Sequence, residues 1–133
     1  RRQRQMCIRD RDVGLLGAMS DLDAMSILEG NDIFVEFKGA LTEQYVLQQI
    51  ISDTKYTPYY YGTEKATFEQ DFMIQMGKDV VPIEVKAETN LKSQSLKCYC
   101  EKYHPQKAIR FSAKKYIDQG WMKNVPLYAV CTL

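Results

Sequence analysis

Phe68-Glu69-Gln70-Asp71-Phe72-Met73-Ile74-Gln75-Met76 and Val80-Val81-Pro82-Ile83-Glu84-Val85-Lys86-Ala87, joined by Gly77-Lys78-Asp79, form the stretch on which the fold turns. Thr67 to Met76 alternates, and Val80 to Ala87 is rich in β-branched residues, so both arms read as strands. A two-residue Gly77-Lys78 loop with glycine first suits a type II′ turn and pairs Met76 with Asp79. Counting back along both arms, Asp71 faces Glu84 and Glu69 faces Lys86, and the two-residue period puts all four on one sheet face. Val81, Ile83, Val85 and Ala87 take the opposite face, where they can pack on a helix.

Carboxylates opposed across two strands repel, so Asp71 and Glu84 make physical sense around a cation. Carboxylate oxygens, with water and phosphate, are hard ligands suited to Mg²⁺ or Mn²⁺. A lysine two residues after one ligand, as Lys86 is after Glu84, can contact a phosphate or an attacking water. Spacing leaves one alternative open, a solvent-facing strand with ordinary charges and a different turn register.

Outward from the hairpin, Leu41, Tyr45, Val46, Leu47, Ile50 and Ile51 recur at helical spacing across Lys38 to Ser52. Glu43 precedes Val46, Leu47 and Ile50 by three, four and seven residues, which puts its carboxylate on or beside the inward stripe. Pro58 to Gly62 reads as a short aromatic strand, Leu91 to Tyr103 as a helix that Pro105 ends at His104, and Lys107 to Phe111 and Val125 to Cys131 as two further strands. The order α-β-β-β-α-β-β predicts an α+β fold, a mixed sheet flanked by helices. Before it, residues 12–36 read as an N-terminal helical segment: Ser20 and Asp23 resemble a capping box, Leu22, Met25 and Leu28 face inward, and Gly30-Asn31-Asp32 ends the helix.

The 133 residues carry 18 basic and 17 acidic side chains, are 45% hydrophobic and 26% charged, and so fit one soluble globular domain rather than a disordered tail. No apolar run approaches the roughly 18 residues of a membrane span, and a cytoplasmic location without membrane attachment is expected. Four cysteines with the single His104 give neither a disulfide framework nor a paired-cysteine zinc pattern, nor a nucleophile context for a Cys-His protease. The cysteines read as packing residues or reduced thiols, and Trp121, after Gly120, as an anchor for the loop into the last strand rather than a binding platform. Residues 1–11 are basic and aperiodic and resemble the translation of a transposon-based sequencing adapter, so they are set aside as an adapter-derived artefact and an upstream part of the gene is expected to be missing. Residues 12–91 then hold 5 basic and 14 acidic side chains, and residues 92–133 hold 8 and 2. Such asymmetry can mark a phosphate-facing surface, although widely spaced lysines more often form a solvated face.

Asp71, then Glu84-Val85-Lys86 after a turn, with Glu43 on the preceding helix, resembles the PD-(D/E)XK nuclease signature and its restriction-endonuclease-like αβββαβ core. Together, Phe37-Lys38-Gly39-Ala40-Leu41-Thr42-Glu43-Gln44-Tyr45-Val46, Phe68-Glu69-Gln70-Asp71-Phe72, Pro82-Ile83-Glu84-Val85-Lys86-Ala87 and Leu91-Lys92-Ser93-Gln94-Ser95-Leu96-Lys97 resemble the domain of unknown function 4143, found at the C-terminus of many prokaryotic AAA-type ATPases. The resemblance makes residues 37–133 the nuclease-like domain and implies that ATP is bound only by a missing upstream ATPase domain, since no P-loop string occurs here. It further implies Mg²⁺ or Mn²⁺ on Asp71, Glu84 and the Val85 carbonyl, with Lys86 acting on water and the transition state. Glu43 would complete the acidic cluster through a water, Glu69 would support it, and Lys92 and Lys97 would meet backbone phosphates of DNA. Gln70 departs from the family's usual aliphatic residue, which puts the packing of that strand in question. The alternative is a non-catalytic module that binds DNA or a protein and couples it to the ATPase. Tyr59-Tyr60-Tyr61 could serve it by stacking on bases, but at strand spacing such residues more often pack.

Overall fold

The computed structural model describes residues 13–14, 32–61, 70–87 and 93–133. The expected N-terminal helix with Ser20, Leu22, Asp23, Met25 and Leu28, the segment 1–11, and Glu69 and Lys92 lie outside the described residues. The chain has a mixed α/β fold. Helix α1 (Asp32–Asp53) is followed by strands β1 (Tyr59–Tyr61), β2 (Gln70–Met76) and β3 (Asp79–Lys86), helix α2 (Gln94–Tyr103), strands β4 (Ile109–Ser112), β5 (Ile117–Asp118) and β6 (Lys123–Pro126), and a 3₁₀ helix, Leu127–Thr132. The strands form one six-stranded sheet in the order β1-β2-β3-β4-β6-β5.

The β2–β3 hairpin has the register its turn dictates. Met76 pairs with Asp79, and the antiparallel ladder runs back to Phe72 opposite Ile83. Gly77 has φ +65° while Lys78 keeps a negative φ, the pattern of a type II′ turn. Pro82 is tolerated in this inner strand because the parallel pairing to β4 begins one residue later, at Ile83 opposite Ile109, so no ladder bond is lost. Gln70 is buried and opens β2, so the polar residue there does not prevent the strand.

Period 2 then sorts the sheet. Phe72, Ile74, Val81, Ile83, Val85, Ile109 and Phe111 form one buried cluster with Val46, Leu47 and Ile50 of α1 and Val130 of the 3₁₀ helix. Each such large side chain contributes about 1.5–3 kcal/mol of burial free energy. The parallel β3–β4 step requires a crossover, and α2 supplies it. Leu96 of α2 is buried against Ala108 and Met122 in a second cluster. Helix α2 ends at Tyr103, as Pro105 leads one to expect, and His104 caps it in the left-handed region at φ 48°, its N–H donating to the Cys100 carbonyl.

Four elements differ from the sequence reading. Helix α1 begins at Asp32 rather than Lys38, and the described part of α2 begins at Gln94. The expected Val125–Cys131 strand stops at Pro126, after which the chain winds into the 3₁₀ helix, because proline ends the ladder and a short apolar run serves either conformation when buried. Strand β5, two residues long, has no pattern to read. Trp121 is not the loop's anchor: it is 42% exposed and Met122 is buried in its place. Gly120 at φ +80°, with its N–H on Asp118 Oδ1, turns the chain so that the next residue but one faces inward.

Candidate functional site

The acidic positions lie where β2 and β3 separate. Continuing the ladder one step past Phe72 and Ile83 sets Asp71 opposite Glu84. The next β3 amide on that side belongs to Val85, and its N–H donates to Oδ2 of Asp71 at 2.7 Å, so a side-chain carboxylate takes the place of a main-chain carbonyl. Within a strand the N–H and C=O of one residue point the same way, so the Val85 carbonyl also faces this gap.

Glu84 is almost fully buried, and Lys86 Nζ lies 2.7 Å from its Oε1. Its Oε2 is buried with no hydrogen-bond partner among the described residues. Burial, opposed by the Val85 N–H, pushes the Asp71 carboxyl above the usual range, and the charge of Glu84 pushes the same way against Lys86. Glu43 reaches the cluster from α1, one turn before Val46 and Leu47. Although the residue is exposed, crowding of its carboxyl by protein, and then the charge of Asp71, raise its pKa to about 7 against the pull of Lys86. The hairpin and α1 thus bring Asp71, Glu84, Val85, Lys86 and Glu43 into one electrostatic neighbourhood. Among the described residues no group of three histidine, cysteine, aspartate or glutamate side chains stands close enough to hold a metal ion by itself.

Lys97 is not part of this cluster. It lies on α2, two-thirds exposed and loosely paired with Glu101 at 3.9 Å. Tyr59 and Tyr60 are largely exposed, Tyr60 leaning on Phe72 at 5.4 Å between ring centres. Tyr61 packs edge-on to Tyr99 and meets the Tyr103 hydroxyl at 3.2 Å. Cys98, Cys100 and Cys131 are free thiols, with burial holding Cys100 above its ordinary pKa.

Sequence reasoning missed Arg110. It pairs with Glu84 across the parallel β3–β4 ladder and is 3% exposed. Its Nε donates to Asn124 Oδ1 at 2.9 Å and its Nη1 to Ser93 Oγ at 3.2 Å. Asn124 Oδ1 also accepts from Ser112 Oγ at 2.8 Å, and its amide donates to the Lys115 carbonyl at 2.9 Å. Burial pulls the guanidinium pKa down and the charge of Glu84 pulls it back up. The signal was present in Ile109-Arg110-Phe111-Ser112, where polar residues alternate with apolar ones on an otherwise buried strand.

The description "domain of unknown function (DUF4143)" belongs to the family model that matches residues 38–131, and the chain belongs to that family. No curated protein and no solved structure matches it. Among the described residues no helix is long and apolar enough to cross a membrane.

Proposed function

We propose that this domain is a restriction-endonuclease-like, divalent-metal-dependent phosphodiesterase acting on DNA, and that it forms the C-terminal part of an AAA-type ATPase whose ATP site lies outside these residues. One observation carries the reading: a buried glutamate with one oxygen that no described residue hydrogen-bonds, opposed by an aspartate whose carboxyl is pushed up by burial and by that glutamate, with an ammonium 2.7 Å away. Burying two carboxylates in opposition costs free energy unless a cation or proton shares the site. The donor set, Asp71, Glu84 and the Val85 carbonyl, is all oxygen and fits Mg²⁺ or Mn²⁺. Such an ion, when bound, supplies Lewis-acid polarisation of a phosphoryl oxygen and a lowered pKa for water.

The chain's own groups supply the rest. Lys86, whose side chain is one-third exposed, can reach from Glu84 to a phosphate oxygen and stabilise the charge that develops there. Glu43, with its pKa near neutrality, can hold a proton taken from water. Arg110 and its hydrogen-bonded partners fix the strand that carries the counter-charge to Glu84. Nicking of a supercoiled DNA circle in Mg²⁺ tests the reading. Asp71→Asn, Glu84→Gln and Lys86→Ala should each lower the rate by at least about 100-fold while leaving the circular dichroism spectrum intact. Nicking that survives all three changes would remove the site from consideration.

Exposed Tyr59 and Tyr60 on the edge strand favour a second reading, a non-catalytic DNA- or protein-binding module. Binding indifferent to Mg²⁺ and to Asp71→Asn, with no nicking, would select it.

A further inference from the structure

A cleft of about 640 Å³ lies on the Arg110 side of the sheet, between the start of α2 and the turn before β6. Its size is that of a small-ligand site. Ser93 and Arg110 line it with Lys97 of α2, Lys114 after β4, and Gln119 and Trp121 from the β5–β6 turn. Arg110 is held rigidly by Asn124 and Ser93, a charged group fixed in place before any ligand arrives. Apart from the buried Arg110, whose charge is felt by Glu84, the lining carries Lys97 and Lys114 against Glu101 beside Lys97, so the cleft favours an anion. Trp121 is 42% exposed and lines this cleft as well as a second cavity, while Met122 packs into the core.

A cationic cleft with a fixed guanidinium and an open indole matches a planar base joined to a phosphate. We infer that this cleft binds a nucleotide unit, its base stacked on Trp121 and its phosphate held by Lys97 and Lys114 above Arg110. The assignment deepens the hydrolase reading, resting on it for the idea that the unit belongs to a DNA strand crossing toward Glu84, which pairs with Arg110. Binding itself requires no hydrolysis.

Trp121 is the single tryptophan, so tryptophan fluorescence reports the surroundings of this one residue, and the Lys97 and Lys114 variants tie the signal to the cleft. Titration of the full chain in EDTA with hexathymidylate, thymidine monophosphate and inorganic phosphate is the test. Saturable quenching by the hexamer, by the mononucleotide, or by both supports the inference. Tighter binding of the hexamer identifies a strand as the source, and equal binding identifies a free nucleotide. Followed by anisotropy of a labelled hexamer, Trp121→Ala should weaken binding about 5-fold or more. Lys97→Ala with Lys114→Ala should lower the slope of log affinity against log salt by about 1.4. Absence of saturable quenching, affinity unchanged in both variants, or displacement of the hexamer by inorganic phosphate at equal concentration overturns it. Because the titration excludes divalent ions, its failure leaves metal-dependent nicking standing, and failure to nick leaves the cleft standing.

Discussion

Replacing Asp71 with asparagine separates what the acidic pair costs the fold from what it does for a cation. The asparagine carbonyl oxygen can keep the hydrogen bond from Val85 N–H, so the end of the ladder survives and the main change is loss of charge. The Asp71 carboxyl is raised in the folded state, chiefly by burial, so above that raised pKa the ionised form opposes folding. Like charges opposed across strands cost roughly 0.2–1 kcal/mol, and burial adds to that, while a neutral hydrogen bond forfeits part of the strength of a charged one. The net at pH 8 in EDTA is a gain for the variant of about 1 kcal/mol, or about 3–5 °C in melting temperature for a chain of this size. In 10 mM Mg²⁺ the parent chain should gain about 1.4 kcal/mol if the ion binds near 1 mM, and the variant little, so the two melting temperatures converge or cross. Thermal unfolding followed by circular dichroism under the two conditions measures this. A variant that melts lower in EDTA, or one that gains as much from Mg²⁺ as the parent, refutes the proposed repulsion and its relief.

Glu43→Gln should change how stability depends on pH. With a folded pKa near 7 against an ordinary value of 4.5, Glu43 stabilises the fold while protonated, fully below about pH 4.5, and loses that contribution as pH rises through 7. The shift sets a ceiling of about 3 kcal/mol, which solvent screening of this exposed residue cuts to about 1 kcal/mol. Urea unfolding should therefore find the glutamine variant gaining on the parent by about 1 kcal/mol between pH 5 and pH 8, and a gap that shrinks contradicts the assigned environment. Gly77→Ala meets no steric obstacle, yet it places a β-carbon at φ +65°. A loss of about 1 kcal/mol in the same assay is expected, and no loss would mean that the turn relaxes to another type.

The hairpin and its faces were legible because two local rules suffice. A glycine-first two-residue loop fixes register, and alternation then assigns Asp71, Glu84 and Lys86 to one face and Val81, Ile83 and Val85 to the other. Glu43 was legible for a similar reason, its offsets from Val46, Leu47 and Ile50 placing it at the edge of a helical stripe. Arg110 was not. Its position beside Glu84 depends on the register of two parallel strands joined through α2, and no local pattern encodes a pairing made across a crossover. Trp121 departs from its expected role as the loop's anchor because Gly120 at positive φ turns the chain and Met122, the next residue but one, takes the core.

These two sources of information meet at Glu84. A buried carboxylate needs counter-charge, and among the described residues two cations of different freedom supply it. Arg110 is held by hydrogen bonds to Asn124 and Ser93, and its charge acts on Glu84 from that fixed position. Lys86 is on the same strand as Glu84, one-third exposed, and makes the direct 2.7 Å contact. Lys86 is therefore the partner that can leave. Its departure toward a phosphate would strand a buried charge unless another cation took its place, a loss that runs to about 3–5 kcal/mol when one partner of a buried pair is removed. On the proposed hydrolase reading, recruitment of the lysine to substrate and occupation of the acidic gap by a divalent ion would be coupled through Glu84, whose Oε2 has no hydrogen-bond partner among the described residues.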